Sequence, residues 1–206
     1  MGLGRKDGRK DGRKDGRKDG RKNKRLALIL TVFLLAGTLS GCSALGVIAA
    51  ELMGISTGRE QREITEALGV NVSGGSIILS EDSHGGFHGD GMTFIVLSFD
   101  EEEAGGLKAQ MEGRQGWHPL PLSENAGILV YGYDTEEMQT GPYLCDEQGQ
   151  GVIPQIQNGY YYFYDRQSES TDAYDDTDVF DRGSYNFTLA VYDSDMDMLY
   201  YVEFDT

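Results

Sequence analysis

Between Leu26 and Ala50 the chain runs for twenty-five residues without an Asp, Glu, Lys or Arg, and this uncharged stretch separates two parts of opposite sign. Residues 1–25 hold twelve basic and four acidic residues, a net charge of +8, whereas residues 42–206 hold six basic and thirty acidic residues, a net charge of −24. The whole-chain value of −16 describes neither part. A cationic start ahead of an apolar run stays on the cytoplasmic side of a membrane while the rest crosses. The order of charges therefore predicts an export segment followed by a separate acidic domain.

Within the basic part, Gly-Arg-Lys-Asp occurs four times in succession from Gly4 to Asp19, followed by the near-copy Gly20-Arg21-Lys22-Asn23. A four-residue unit of Gly and charge has no face to bury, so the run is expected to be solvated and disordered and not a stacked repeat. Its expected partner is anionic lipid, to which each basic residue near the surface contributes ~1 kcal/mol.

The apolar segment from Leu26 to Thr38 leads straight into Leu39-Ser40-Gly41-Cys42. That tetrapeptide resembles the lipobox of bacterial lipoproteins, in which an aliphatic residue, two small residues and a Cys end the signal. The resemblance implies acylation of the Cys42 thiol and cleavage just before it, leaving a mature chain of 165 residues held by lipid at the extracytoplasmic face of the cell membrane. The other reading of the same segment is an uncleaved anchor, since twenty-five helical residues span roughly 37 Å, more than the ~30 Å hydrocarbon core. The expected layout is a basic repeat region over 1–25, a hydrophobic signal segment over 26–41, a lipidated N-terminus and tether over 42–56, and an acidic domain over 57–206. The segments Asp82 to Gly91 and Asn158 to Arg166 are also similar to small uncharacterised lipoproteins of Gram-positive bacteria, over about half of the domain. That resemblance implies no activity and transfers no functional residue.

With Cys42 acylated, Cys145 has no partner in the chain, and no intrachain disulfide is expected. Lacking basic neighbours in sequence, Cys145 is expected to be a buried structural thiol.

Thr57-Gly58-Arg59-Glu60 has the spacing of a capping box, with Ile64, Ala67 and Leu68 on one helical face and Gly69 as a stop. Ser76 to Ser80 and Thr93 to Phe99 predict a hairpin across a Gly-rich loop. Asp100 caps a second helix with Ala104, Leu107 and Met111 inward. Between Trp117 and Gly132, Pro119 and Pro121 break the pattern, and the run Ala126 to Tyr131 fits strand and helix alike. Tyr160 to Tyr164, Tyr185 to Tyr192 and Leu199 to Phe204 predict three antiparallel strands, with Asp193 to Asp197 as the last turn and a long acidic excursion over 165–184. The sum is a single α+β domain, an antiparallel sheet with short helices on one face.

Asp82-Ser-His84-Gly-Gly-Phe-His88-Gly-Asp90-Gly91 is the segment with most chemistry. Asp82, His84, His88 and Asp90 are potential zinc or calcium ligands, the glycines let a loop fold back on one ion, and His118 is a candidate remote ligand. No zinc-motif spacing is present, and the plainer expectation is a hairpin loop whose His and Asp bond to backbone. Asp193, Asp195 and Asp197 match positions one, three and five of a calcium loop, but Met198 stands where Gly is needed and Phe204 where a bidentate Glu is needed. That segment and Asp172, Asp175, Asp176, Asp178 and Asp181 are read as solvated loops, with Arg166 and Arg182 pairing to the latter. There is no GxSxG elbow, no phosphate-binding Gly loop and no paired Cys cluster.

The function expected from the sequence is that of a non-catalytic binding or accessory lipoprotein with no required cofactor. Its partners would be membrane lipid through the acyl group and a cationic peptide or protein through the domain, with nucleic acid repelled. The alternatives are a metal-binding protein or metal-dependent enzyme using the Asp82–Gly91 loop, and a structural envelope component.

Overall fold

The computed structural model describes residues 58–85, 89–134, 138–167 and 172–206. The basic repeats, the apolar run, Cys42, the capping residue Thr57 and the candidate ligand His88 lie outside the described residues.

A first helix, α1, covers residues 58–68 and buries Ile64 and Leu68, as their spacing of four requires. Gly69 ends it with φ +64°, donating its N–H to the Thr65 carbonyl at 2.9 Å. Strands β1 (Ser76–Asp82) and β2 (Gly91–Ser98) form the expected antiparallel hairpin, with a register shift between Ile77 and Leu79. Helix α2 (Glu101–Met111) starts at Asp100, whose side chain accepts the Glu103 N–H at 3.0 Å, and it buries Ala104, Leu107 and Met111. Its acidic first turn sits at the positive end of the helix dipole.

The ambiguous stretch resolves into a short strand, β3 (Trp117–Pro119), and a helix, α3 (Glu124–Tyr131). What selects helix is the start: both Ser123 Oγ, at 3.1 Å, and Asp176 Oδ2, at 3.0 Å, accept the Ala126 N–H. One of these caps lies fifty residues away in sequence. A two-residue ladder, β4 (Tyr133–Asp134) with β5 (Gln139–Thr140), precedes the three aromatic strands β6 (Gly159–Asp165), β7 (Asn186–Asp193) and β8 (Met198–Asp205). The main sheet is antiparallel in the order β1-β2-β8-β7-β6-β3.

The α+β class and antiparallel sheet are as expected, but the helices do not share one face. Helices α1 and α2 cover the face carrying Ile95, Leu97, Ala190, Tyr192 and Leu199. Helix α3, with Leu144, Ile153 and Ile156 from the segment after β5, covers the face carrying Phe163, Phe187, Leu189, Val191 and Val202. The reason is in β7, where Thr188 and Ala190 are as fully buried as Leu189 and Val191. A strand apolar on both sides needs a cover on both sides. Among the described residues, no helix is long and apolar enough to cross a membrane.

The acidic excursion between β6 and β7 is a second departure from expectation. Instead of lying in solvent, it buries Val179 and places Tyr174 and Phe180 against the two cores. Asp172 accepts the Tyr174 N–H, and Asp175 accepts from both the N–H and the hydroxyl of Thr177. Asp176 also receives the Ser123 hydroxyl. At the far end, Arg182 donates to both oxygens of Asp165, at 2.6 and 2.9 Å, and Asp165 is only 4% exposed. Arg182 therefore pairs with the last residue of β6 and not with the aspartates between Asp172 and Asp181.

Two outcomes follow from this packing. Phe187→Ala removes a fully buried ring and is expected to cost about 3–5 kcal/mol in urea unfolding of the chain. Arg182→Met leaves the buried Asp165 carboxylate without its fork and is expected to cost about 3–5 kcal/mol, with Asp165→Leu added in the double variant recovering most of the loss. A double variant no more stable than the single one would show that the pair itself, and not the orphaned charge, carries the stability.

Candidate functional site

The hairpin end of β1 and β2 lies beside the last residues of β8, since Gly91 is paired with Asp205 and Thr93 with Glu203. This register brings Asp82 and His84 to Asp205, although His84 and Asp205 are 121 residues apart. Asp82 Oδ1 accepts the His84 backbone N–H at 3.0 Å, an Asx turn that swings the ring back over the strand end. His84 Nδ1 then lies 2.7 Å from Asp82 Oδ1, and Nε2 lies 3.0 Å from Asp205 Oδ2. Thr93 Oγ1 is 3.3 Å from Nδ1.

Arg166 extends the row. Its Nη2 donates to both oxygens of Asp205 at 2.9 Å and to the Phe187 carbonyl at 3.2 Å. Asp82, His84, Asp205 and Arg166 thus form a line of alternating charge across the strand ends of β1, β8 and the segment leaving β6. Gly91 permits the close approach. Its φ is +159°, and a Cβ there would fall 2.5 Å from His84 Cα.

Both carboxylates are acceptors only, so both ring bonds exist together only when His84 is the imidazolium. Partial burial lowers the His84 pKa, but the hydrogen bonds and charges of Asp82 and Asp205 outweigh it and raise the pKa above the ordinary histidine value. Asp82 is held below the usual carboxylate range, first by the His84 backbone N–H and then by the His84 ring. A ring with both nitrogens spent on carboxylates is a poor ligand and a poor general base. The arrangement works as an electrostatic clasp.

The remaining sequence candidates do not gather here. Asp90 is exposed, and its carbonyl accepts the Gly85 N–H at 3.4 Å. His118 sits on β3, at the opposite edge of the sheet from β1, with its ring 5.3 Å from that of Tyr161. Among the described residues, no group of three or more His, Cys, Asp or Glu side chains is placed to hold a metal ion. Cys145 is a free thiol, half-buried and not fully buried as expected, and it faces a recess shared with Asp146 and Glu147. The three turn aspartates are spent separately. Asp193 accepts the backbone N–H groups of Asp195 and Met196, Asp195 accepts from Asn158, and Asp197 accepts from Tyr192 and pairs with Lys108 at 2.9 Å.

Asp205, Arg166 and Thr93 are the members that sequence reading missed. No local spacing could have found Asp205, because only the β2–β8 register carries it to the hairpin. No protein-family model, curated protein or solved structure matches the chain.

The clasp makes stability depend on pH with a fixed sign. Because the folded His84 pKa is raised, its contribution is complete below the ordinary value of about 6.5 and is lost as pH rises through the folded value. Melting temperature measured from mildly acidic to mildly alkaline pH should fall more steeply in the wild type than in His84→Gln. Parallel profiles for the two proteins would rule the clasp out as a contributor.

Proposed function

We propose that this chain is a membrane-anchored extracytoplasmic lipoprotein whose acidic domain is a non-catalytic binding or accessory module for a cationic peptide or protein. The observation that carries the reading is the order of segments: a +8 start, an uncharged run, Leu39-Ser40-Gly41-Cys42, then a domain at −24. The geometry lends support in two ways. The imidazole best placed for chemistry, His84, is occupied by Asp82 and Asp205. Four of the domain's six cations, Arg59, Lys108, Arg166 and Arg182, pair with carboxylates of the chain itself, and the carboxylates that remain far outnumber the other two, so the field is anionic. Such a field attracts cations and repels nucleic acid and anionic polymers, within a screening length of ~8 Å at physiological salt.

Growth of a bacterium producing the full chain with an alkyne-bearing palmitate tests the anchor. The expected result is a labelled protein whose mature sequence begins at Cys42, with the label and the cleavage both lost in Cys42→Ala. An unlabelled protein that keeps residues 1–41 would overturn the lipoprotein reading.

A further inference from the structure

Strand β1 is an edge of the main sheet, paired with β2 on one side and, among the described residues, with no strand on the other. Six of its seven residues are exposed. Ile78 is 57% exposed and Leu79 38%, in a domain whose other apolar residues are mostly covered. Alternate residues of such an edge turn their N–H and C=O groups outward, a ready template for another strand. Natural sheets guard long edges with charged residues, above all Lys, with Pro, with bulges or by brevity; β1 has no Lys or Pro, and the charges it carries, Glu81 and Asp82, are both negative. Its one irregularity is the register shift at Ile77 and Leu79, after which Leu79 to Asp82 run in regular register against Val96 to Thr93.

The surroundings of β1 select what could be added. Ser80 and Asp82 share the α1 side of the sheet, where a recess of about 190 Å³ is bounded also by Glu60, Glu63 and Glu203. Leu79 and Glu81 face the other side, where a recess of about 660 Å³ is bounded by Glu81, Asp82, Asp146 and Glu147. Arg59, bonded to Glu63 at 2.8 Å, offsets one of these charges. Carboxylates thus stand on both faces of the same strand. A second copy of this chain would bring the same negative field to the edge, and its repulsion opposes self-pairing. An added strand projects successive side chains to opposite faces, so a cationic strand would place positive groups toward both recesses.

We infer that β1 is a docking edge that takes an extended cationic segment of a partner protein as a seventh strand. Backbone bonds to β1 supply affinity, Ile78 and Leu79 give an apolar contact, and neighbouring Lys or Arg side chains, turned to opposite faces of the added strand, reach the two acidic recesses. The inference rests on the proposed reading of the domain as a cation-binding module and gives that reading its site.

The test uses the chain purified from its membranes in a non-ionic detergent, with fluorescent peptides of ~10 residues, a strand-like length. One peptide repeats Lys-Lys-Val-Val, so that Lys falls on both faces of the added strand, and the other repeats Lys-Lys-Pro-Pro, with equal charge but with a missing N–H toward β1 in either register. The Lys/Val peptide should bind, weaken with added salt, and slow amide hydrogen exchange at Ser76–Asp82. The Lys/Pro peptide and the double variant Ile78→Lys, Leu79→Lys should each reduce binding by about ten-fold or more, equivalent to about 1.4 kcal/mol. Equal binding of both peptides, or binding without slowed exchange in β1, would overturn the docking edge while leaving cation capture standing. Failure of both peptides to bind at any salt concentration would overturn the edge and the cation-binding reading together.

Discussion

Covering both faces of the central strands is the constraint from which the other features of the domain follow. In β7, Phe187, Leu189 and Val191 point to one side and Thr188, Ala190 and Tyr192 to the other, and all six are at most 2% exposed. Burying each large apolar side chain contributes about 1.5–3 kcal/mol, so neither face can be left open. One cover is made by α1 and α2. The other needs α3 together with the segment after β5 and parts of the acidic excursion, because a helix of eight residues is too short to span the sheet alone. The excursion is therefore structural despite its composition, and its carboxylates serve as caps and turn acceptors.

Legibility in the sequence tracks the distance over which each decision is made. Helices α1 and α2, the hairpin and the three aromatic strands are set by spacing within ten residues or so, and those were readable. The choice between helix and strand at Ala126–Tyr131 depends on Asp176, which no window around α3 contains. The placement of helices on both faces was legible in principle, since Ala190 and Tyr192 are not solvent residues, but alternation with Asn186 and Thr188 disguised a strand buried twice. Val179 and Phe180 were the signal that the acidic stretch docks. At the strand-end clasp, Asp82 and His84 stood out because they are close in sequence. Their partners, Asp205 at the end of β8 and Arg166 just past β6, come from remote parts of the chain and carry no local mark.

The clasp also shows how an acidic domain uses scarce cations. Arg166 and Arg182 flank the excursion, one on Asp205 and the other on Asp165, so both ends of a twenty-residue detour are tied to strand termini. Lys108 ties α2 to the β7–β8 turn through Asp197, where the buried Tyr192 hydroxyl also finds its acceptor. In each case a positive group joins elements remote in sequence. With thirty acidic and six basic residues over 42–206 the domain stays strongly anionic, which favours solubility and discourages association with like-charged molecules.

The two borders of the main sheet are unequal. Opposite β1, strand β3 is three residues long and ends at Pro119, which has no N–H to offer. Fibre-like growth by edge addition needs two receptive borders on every unit, one to accept and one to be accepted. With one border closed, strand addition halts after a single event, and the molecule can present an open strand without becoming a seed for polymerisation.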